Sequence, residues 1–277
     1  NPHAHASYAA LAADPDVDVI YIATPHMFHK DNAVLCLEAG KHVLCEKAFT
    51  INAREAKVVI EAARREKRFL MEAMYTRHLP LMHEVRKWLR DGAVGEIRLV
   101  QANRCSSGTY PPQGRHMNLA LGGGSLLDVG IYVLSFASMV LGEPDTVSGH
   151  AHLGPTGADE QASMALKYQS GALASLNCAL HTDNTDDARI LGTAGAIYID
   201  APFWGASRAT LVRPGRPEIV CERPIENNGL NYEAAETMRC IRQGLTESPI
   251  MPLDESLSLM AVMDTLRAQW RLKYPGE

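Results

Sequence analysis

The sequence predicts an α/β unit with a parallel sheet, followed by an α+β unit built on a large, mostly antiparallel open sheet. Three observations carry this expectation. Short apolar runs alternate with amphipathic helical patterns up to about Tyr75, the rhythm of a parallel sheet with crossover helices. From Glu96 the pattern changes to short alternating segments punctuated by turn residues such as Gln169-Ser170-Gly171 and Thr193-Ala194-Gly195. The chain then closes with two helical patterns, the second carrying Leu257, Met260, Met263, Leu266 and Trp270 at core spacing. With 277 residues, 46% of them apolar, the chain is long enough for two lobes around substantial cores.

The elements follow in order. Ser7 caps a short helix over Tyr8 to Ala13, and Asp14-Pro15-Asp16 turns the chain into the run Val17 to Ala23, read as a central strand. Thr24-Pro25-His26-Met27-Phe28-His29 forms a loop at its carboxyl end, before a helix from Lys30 to Glu38 closed by Gly40. Val43, Leu44 and Cys45 make the next strand, leading to Glu46 and Lys47. Asn52-Ala53-Arg54-Glu55 opens a helix to about Lys67 with Ala56, Val59, Ile60 and Ala63 on its buried face. Phe69 to Tyr75 gives a third strand and Leu79 to Arg90 a helix. In the second half, one long helical pattern from Ser125 to Leu141 interrupts the strands, and helices near Tyr232 to Arg242 and after Asp254 end the chain.

Composition narrows the function classes. A net charge of -5 and the lack of a long basic run argue against nucleic acid as a partner. The six cysteines, Cys36, Cys45, Cys105, Cys178, Cys221 and Cys240, form no Cys-x-x-Cys pair, and several lie in apolar runs, as reduced core thiols do. A cytoplasmic setting is expected. The reading also expects no apolar stretch long enough and charge-free enough to span a bilayer, and no membrane partner. His3 with His5 and His150 with His152 form His-x-His pairs, but no Cys or carboxylate cluster accompanies them at ligand spacing, so no metal site is expected.

Two stretches carry chemistry. In a parallel sheet, ligands bind beyond the carboxyl ends of the strands, and Lys47 stands there. It reads either as an exposed lysine just past a strand or as a cation that polarises a substrate oxygen. The second stretch is Gly122-Gly123-Gly124-Ser125-Leu126-Leu127-Asp128-Val129-Gly130-Ile131-Tyr132. Asp128 and Tyr132 are four apart, which on a helix puts both on one face near its amino end. They read equally as an interface tyrosine with a first-turn carboxylate favoured by the helix dipole. Hydride removal from a carbinol carbon requires an acid-base group and a nearby cation. Tyrosine fills the first role if an adjacent ammonium lowers its pKa, and Lys47 fills the second, with Glu46 as the partner fixing the lysine.

Together, Thr24-Pro25-His26 to His29, Glu46-Lys47 and Gly122 to Tyr132 resemble the Gfo/Idh/MocA family of nicotinamide-dependent oxidoreductases, from Ser7 to the C-terminus. Within it, GGGSLLDVGIY and MEAMYTRHLP look most like the branch of dimeric dihydrodiol dehydrogenase and glucose-fructose oxidoreductase. The resemblance implies a Rossmann-type dinucleotide domain over 1–76 and a substrate-binding and oligomerisation domain over 77–277, with the final helix packed back on the first domain. It implies Lys47 and Tyr132 as the catalytic pair, with Asp128 positioning substrate or tyrosine. Thr24, Pro25, His26, His29, Glu46 and Lys47 would line the cofactor site at its nicotinamide end, and Arg77 would lie near cofactor or substrate. The implied cofactor is NAD or NADP, with NADP favoured. The implied substrate is a sugar or cyclic trans-diol, and the implied assembly a homodimer or higher homo-oligomer through the C-terminal sheet, whose uncovered face is expected to be apolar. Two other readings use the same scaffold: a glycoside hydrolase with a tightly held nicotinamide cofactor, and a non-enzymatic ligand-sensing regulator.

The chain departs from the family pattern in three places. Ala48 stands where the family has proline after Glu-Lys, and His26 stands where an asparagine is common. No Gly-x-Gly-x-x-Gly follows a strand, so the turn that holds a pyrophosphate is not in this sequence, and the dinucleotide domain is expected to be truncated at its amino end.

Overall fold

A computed structural model describes residues 4–183 and 185–277, so His3 of the first His-x-His pair lies outside the described residues. The first layer forms as its pattern dictates. The Ser7 Oγ accepts from the Ala10 amide at 3.1 Å and opens α1 (Tyr8–Ala12). β1 (Val19–Ile22), α2 (His29–Glu38), β2 (His42–Glu46), α3 (Ala53–Glu66) and β3 (Leu70–Ala73) then alternate. The three strands pair in parallel in the order β1-β2-β3. Asn52 caps α3 by accepting from the Glu55 amide at 2.9 Å, and Ala56, Val59, Ile60 and Ala63 are its buried positions, as the spacing predicts. The expectation that β1 is central is corrected: among the described residues it pairs with β2 alone and forms the edge of this sheet.

After α4 (Pro80–Arg90), β4 (Ile97–Ser106) enters a second sheet, completed by β5 (Thr146–Leu153), β6 (Asp159–Lys167), β7 (Leu173–Leu180), β8 (Ala188–Gly192), β9 (Ala196–Ile199), β10 (Arg208–Val212) and β11 (Ile219–Glu222). Its order is β11-β10-β9-β8-β4-β7-β6-β5, and every pairing is antiparallel except β4 with β7. One face is covered. Val100 and Ala102 of β4, Met164 and Leu166 of β6, and Leu176 and Cys178 of β7 are buried there, against α5 (Ile131–Leu141) and its approach. α6 (Leu230–Arg242) and α7 (Leu253–Trp270) end the chain.

α7 touches both sheets. Its Asp264 carboxylate accepts from the Ala53 amide at the start of α3, and Ser256 donates to Glu72 of β3. On the other side, the Trp270 indole donates to the Gly149 carbonyl of β5 at 2.9 Å.

Two further expectations are corrected. The segment Leu119–Leu141 is a helical stretch of 23 residues, long and apolar enough to cross a membrane by length and composition. Most of it is buried inside the protein, where α5 packs on β4, β7 and α7, so its apolarity is that of a core helix. The uncovered face of the large sheet is not broadly apolar. The strand registers place Leu173, Leu99 and Leu191 in one row across it, but the adjoining row is Ser175, Gln101 and Arg189, and Asn177 donates to Asn103 beyond that. Strict alternation sent the large apolar side chains to the covered side and left a stripe.

Candidate active site

The site forms where the first layer's loops meet the helical turn that precedes α5. Thr24, Pro25 and His26 follow β1, and Glu46 ends β2 with Lys47 next after it. With Ala23, Arg115 and Leu121 they line a cleft of about 340 Å³ beyond the carboxyl ends of the two strands. The chain leaves Lys47 through a cis peptide to Ala48.

The glycine run positions the second half. Gly122 has φ +76°, and a Cβ there would stand 2.7 Å from the Cβ of His26, so only glycine lets the two loops approach this closely. Gly124 has φ +132°, and a Cβ would come within 2.1 Å of the Asp159 Oδ1. The Asp159 Oδ2 accepts from the Ser125 hydroxyl and the Leu126 amide at 2.7 and 2.6 Å, fixing the start of a π-helical turn over Leu126–Gly130. Such turns are rare and concentrate at functional sites. This one brings Asp128 and Tyr132 to Lys47.

The Lys47 ammonium donates to the Asp128 carbonyl at 2.7 Å and lies 3.2 Å from its carboxylate, and it stands 5.1 Å from the centroid of the Tyr132 ring. Arg115 donates to the same carboxylate oxygen at 3.0 Å, and His116 stands 3.7 Å from the other. Burial opposes the charge on Asp128, but Lys47 and Arg115 outweigh it and hold the carboxyl well below its usual range. Tyr132 behaves in the opposite way. Burial raises its phenol above the ordinary value, the Glu46 and Asp128 carboxylates add to that, and Arg104 opposes it. The expected lowering by the lysine is therefore corrected: the ammonium faces the ring, and burial dominates, with the surrounding carboxylates adding to it. The Tyr132 hydroxyl makes no hydrogen bond within the described residues.

Glu46 is also corrected as the partner of the lysine side chain. Its carboxylate receives the Tyr21 hydroxyl and the Lys47 backbone N–H, while Asp128 holds the ammonium. His26 sits on the wall of the cleft. Burial, then Lys47, pushes its imidazole down to about 3, so the ring is neutral; its Nδ1–H donates to the Gly122 carbonyl at 2.8 Å, leaving Nε2 as an acceptor. His29 does not line the cleft. Its two ring nitrogens lie 3.0 Å from the Ala48 carbonyl and 2.7 Å from the Thr24 carbonyl, so the ring ties the two cleft loops together.

Arg77 is brought to a different place from the one the resemblance implies. Its side chain is buried, and its fork is filled by the Glu255 carboxylate at 2.8 and 3.0 Å and by the Ser135 carbonyl at 2.9 Å. A guanidinium so committed joins α7 to α5, and its one unpartnered donor, Nε, is enclosed.

Sequence reasoning missed Arg115 and His116, which complete the Asp128 cluster, and an aromatic wall around Tyr132. Tyr75 packs edge-on to the Tyr132 ring at 6.1 Å, and Arg104 lies 3.5 Å over the Trp204 ring. It also missed Glu233, a buried carboxyl with Oε2 unpartnered, which burial and then Glu46 push up to about 8. No local pattern marks these residues, because each meets the site from a distant segment.

The cleft suits the nicotinamide end of a dinucleotide. It offers an open backbone rim at Thr24 and Pro25, a neutral acceptor at His26, and an ammonium of which two N–H groups are used by Asp128 and one remains. Among the described residues no cluster of His, Cys, Asp and Glu could hold a metal ion.

Comparison with known proteins bears on the family and the fold. Residues 2–74 match a family model described as an oxidoreductase family with an NAD-binding Rossmann fold, and residues 82–198 match the GFO/IDH/MocA C-terminal domain. The chain is 35% identical over 285 aligned residues to a trans-1,2-dihydrobenzene-1,2-diol dehydrogenase of Macaca fuscata fuscata, covering 100% of this chain and 84% of that protein. The Homo sapiens protein of the same name is 34% identical with the same coverage. Among solved structures, an aldose-aldose oxidoreductase from Caulobacter crescentus complexed with glycerol superposes with a TM-score of 0.85 at 28% identity, over 95% of this chain and 80% of that one. A levoglucosan dehydrogenase in complex with NADH and levoglucosan shares the fold at a TM-score of 0.84 and 20% identity, over 95% of this chain and 80% of that one.

Proposed function

This chain belongs to the GFO/IDH/MocA oxidoreductase family, and on that premise we propose that it transfers a hydride between NAD or NADP and a carbinol or carbonyl carbon of a sugar or cyclic diol. The observation that carries the reading is the convergence of Lys47, Asp128 and Tyr132 beside the cleft that ends β1 and β2. In this reading Thr24, Pro25, His26, Glu46 and Lys47 hold the nicotinamide end of the dinucleotide, which when bound supplies the hydride acceptor or donor.

The residues of the chain do the rest. Asp128 fixes the lysine through its carbonyl and its carboxylate, so the ammonium is oriented before substrate arrives and loses little on reaction. Lys47 then stabilises charge developing on the substrate oxygen with its remaining N–H. Tyr132 moves the proton. Its hydroxyl is free of protein partners and its raised pKa keeps it protonated at neutral pH, which suits donation to the oxygen of a carbonyl being reduced. The reverse oxidation returns the proton to the Tyr132 phenolate, so it is expected to run best in alkaline solution.

The test is an absorbance scan at the reduced-nicotinamide band with NAD and NADP against a panel of diols and sugars. Turnover of at least one carbinol supports the reading, and a protein that binds dinucleotide without any reduction or oxidation overturns it.

The proposal includes a homo-oligomer formed through the open face of the large sheet. The apolar row of Leu173, Leu99 and Leu191, with Leu173 half exposed, supports it. Sedimentation showing a monomer at micromolar concentration would count against it.

A further inference from the structure

Beside Tyr132 lies a cation that the hydride chemistry does not use. Arg104 projects from the end of β4, its guanidinium carbon 3.5 Å from the centroid of the Trp204 ring and 6.0 Å from that of Tyr132. Trp204 is itself held: its carbonyl accepts from the Thr76 hydroxyl at 3.0 Å, and its ring packs edge-on to Phe203 at 5.9 Å. The side chain of Arg104 is 18% exposed, and it is held by packing on the indole and by a loose ion pair with Asp186 at 3.8 Å.

Its donors are poorly used. Nη1 donates to the Cys105 carbonyl, Nε is enclosed without a partner, and Nη2 donates to no protein atom among the described residues. The nearest carboxylate, Asp186, stands 3.8 Å from Nη1, beyond hydrogen-bond reach, and its Oδ1 already accepts from the Cys105 amide at 2.8 Å. The two fully buried arginines differ. Arg77 is closed by Glu255 at 2.8 and 3.0 Å, and Arg267 by Glu277 at 2.7 and 2.9 Å. Arg104 is thus a preorganised, incompletely paired guanidinium beside the proposed proton donor. A planar guanidinium pairs best with a carboxylate, two coplanar N–H groups against two oxygens.

We propose that Arg104 anchors a carboxylate of the substrate, and that the substrates preferred by this enzyme are hydroxy acids of the sugar class, aldonic or uronic acids, over neutral sugars and diols. The inference rests on the oxidoreductase reading and names the substrate class for that same site. The carboxylate is a spectator in the reaction: the carbinol loses one hydride and one proton whichever substrate is bound, and the anchor sets which carbinol is presented to Tyr132.

Calorimetric titration with gluconate, glucuronate and glucose, on the wild type and on Arg104→Gln, tests the anchor apart from turnover. Expected for the wild type is about ten- to a hundredfold tighter binding of one of the acids than of glucose, weakened by added salt. In Arg104→Gln that preference is lost while glucose binds as before, and Arg104→Lys, which keeps the charge and loses the fork, falls between. Equal affinity of the wild type for acid and neutral sugar overturns the inference without need of a variant, as does a preference that survives Arg104→Gln. Selective acid binding with no dinucleotide reduction upholds the anchor and overturns the oxidoreductase reading instead.

Discussion

The ammonium of Lys47 and the backbone carbonyl of Asp128 are 2.7 Å apart, although one residue follows a strand of the small parallel sheet and the other lies in the helical turn above the large sheet. The proposed chemistry is organised by this contact.

Replacing Asp128 by Asn should damage both fold and activity. The carboxylate is held ionised by Lys47 and Arg115, and Lys47 is itself largely enclosed, so neutralising one partner leaves a partly buried charge uncompensated, at about 3–5 kcal/mol. Urea unfolding should report a loss of that order together with a fall in kcat. An unchanged midpoint would show that the pair is not needed to hold the loop.

Lys47→Met and Tyr132→Phe should each lower kcat by roughly 10²–10⁴-fold while the far-ultraviolet circular dichroism stays that of the wild type. Tyr132→Phe removes only a hydroxyl with no protein partner, so its cost should fall on turnover and hardly at all on stability. Full activity in either variant would remove that residue from the mechanism.

The raised pKa of Tyr132 sets a pH dependence. As a proton donor it stays competent through neutral pH, so kcat for carbonyl reduction should be level across the neutral range and fall only in alkaline solution. A fall near neutrality that persists in Tyr132→Phe would assign the titration to another group.

Glu72 gives a separate effect on stability. Burial pushes its carboxyl up to about 7, against hydrogen bonds from Ser256 and the Phe49 amide. Between the unfolded value near 4.5 and the folded value the native state binds the extra proton, so stability falls as pH rises through that window. The loss is on the order of 3 kcal/mol once both values are passed. Glu72→Gln retains a donor and an acceptor without the charge, and its denaturation midpoint should vary less from pH 5 to 8 than that of the wild type.

Arg77→Met should destabilise the protein by about 3–5 kcal/mol, since it leaves Glu255 without its partner, and should leave dinucleotide affinity unchanged. A weakened affinity in a folded variant would return Arg77 to the cofactor site.

The order of elements and the position of Lys47, Asp128 and Tyr132 were legible because local signals fix them: capping by Ser7 and Asn52, apolar runs that end at Glu46 and Lys47, and glycines before a helical stretch. What was not legible depends on long-range meetings. Arg115 and His116 come from a loop whose own pattern says nothing about Asp128, and Arg104 meets Trp204 across a separation of 100 residues. Arg77 was misplaced because its carboxylate partner, Glu255, is supplied 178 residues later. The uncovered sheet face was misjudged for a similar reason: which side of a strand is covered follows from register, and register follows from partners the sequence does not name.

α7 also governs when the protein can be finished. This helix covers α3 and β3 on one side and β5 on the other, yet it is made last of the elements, 187 residues after the end of α3. At roughly 5–20 residues per second, ribosomal synthesis leaves the first layer waiting roughly ten to forty seconds for its cover. During that interval the face of α3 and β3 that α7 buries is open to chaperones and to other nascent chains, so the yield of native protein should depend on translation speed and chaperone supply more than on the stability of the finished fold.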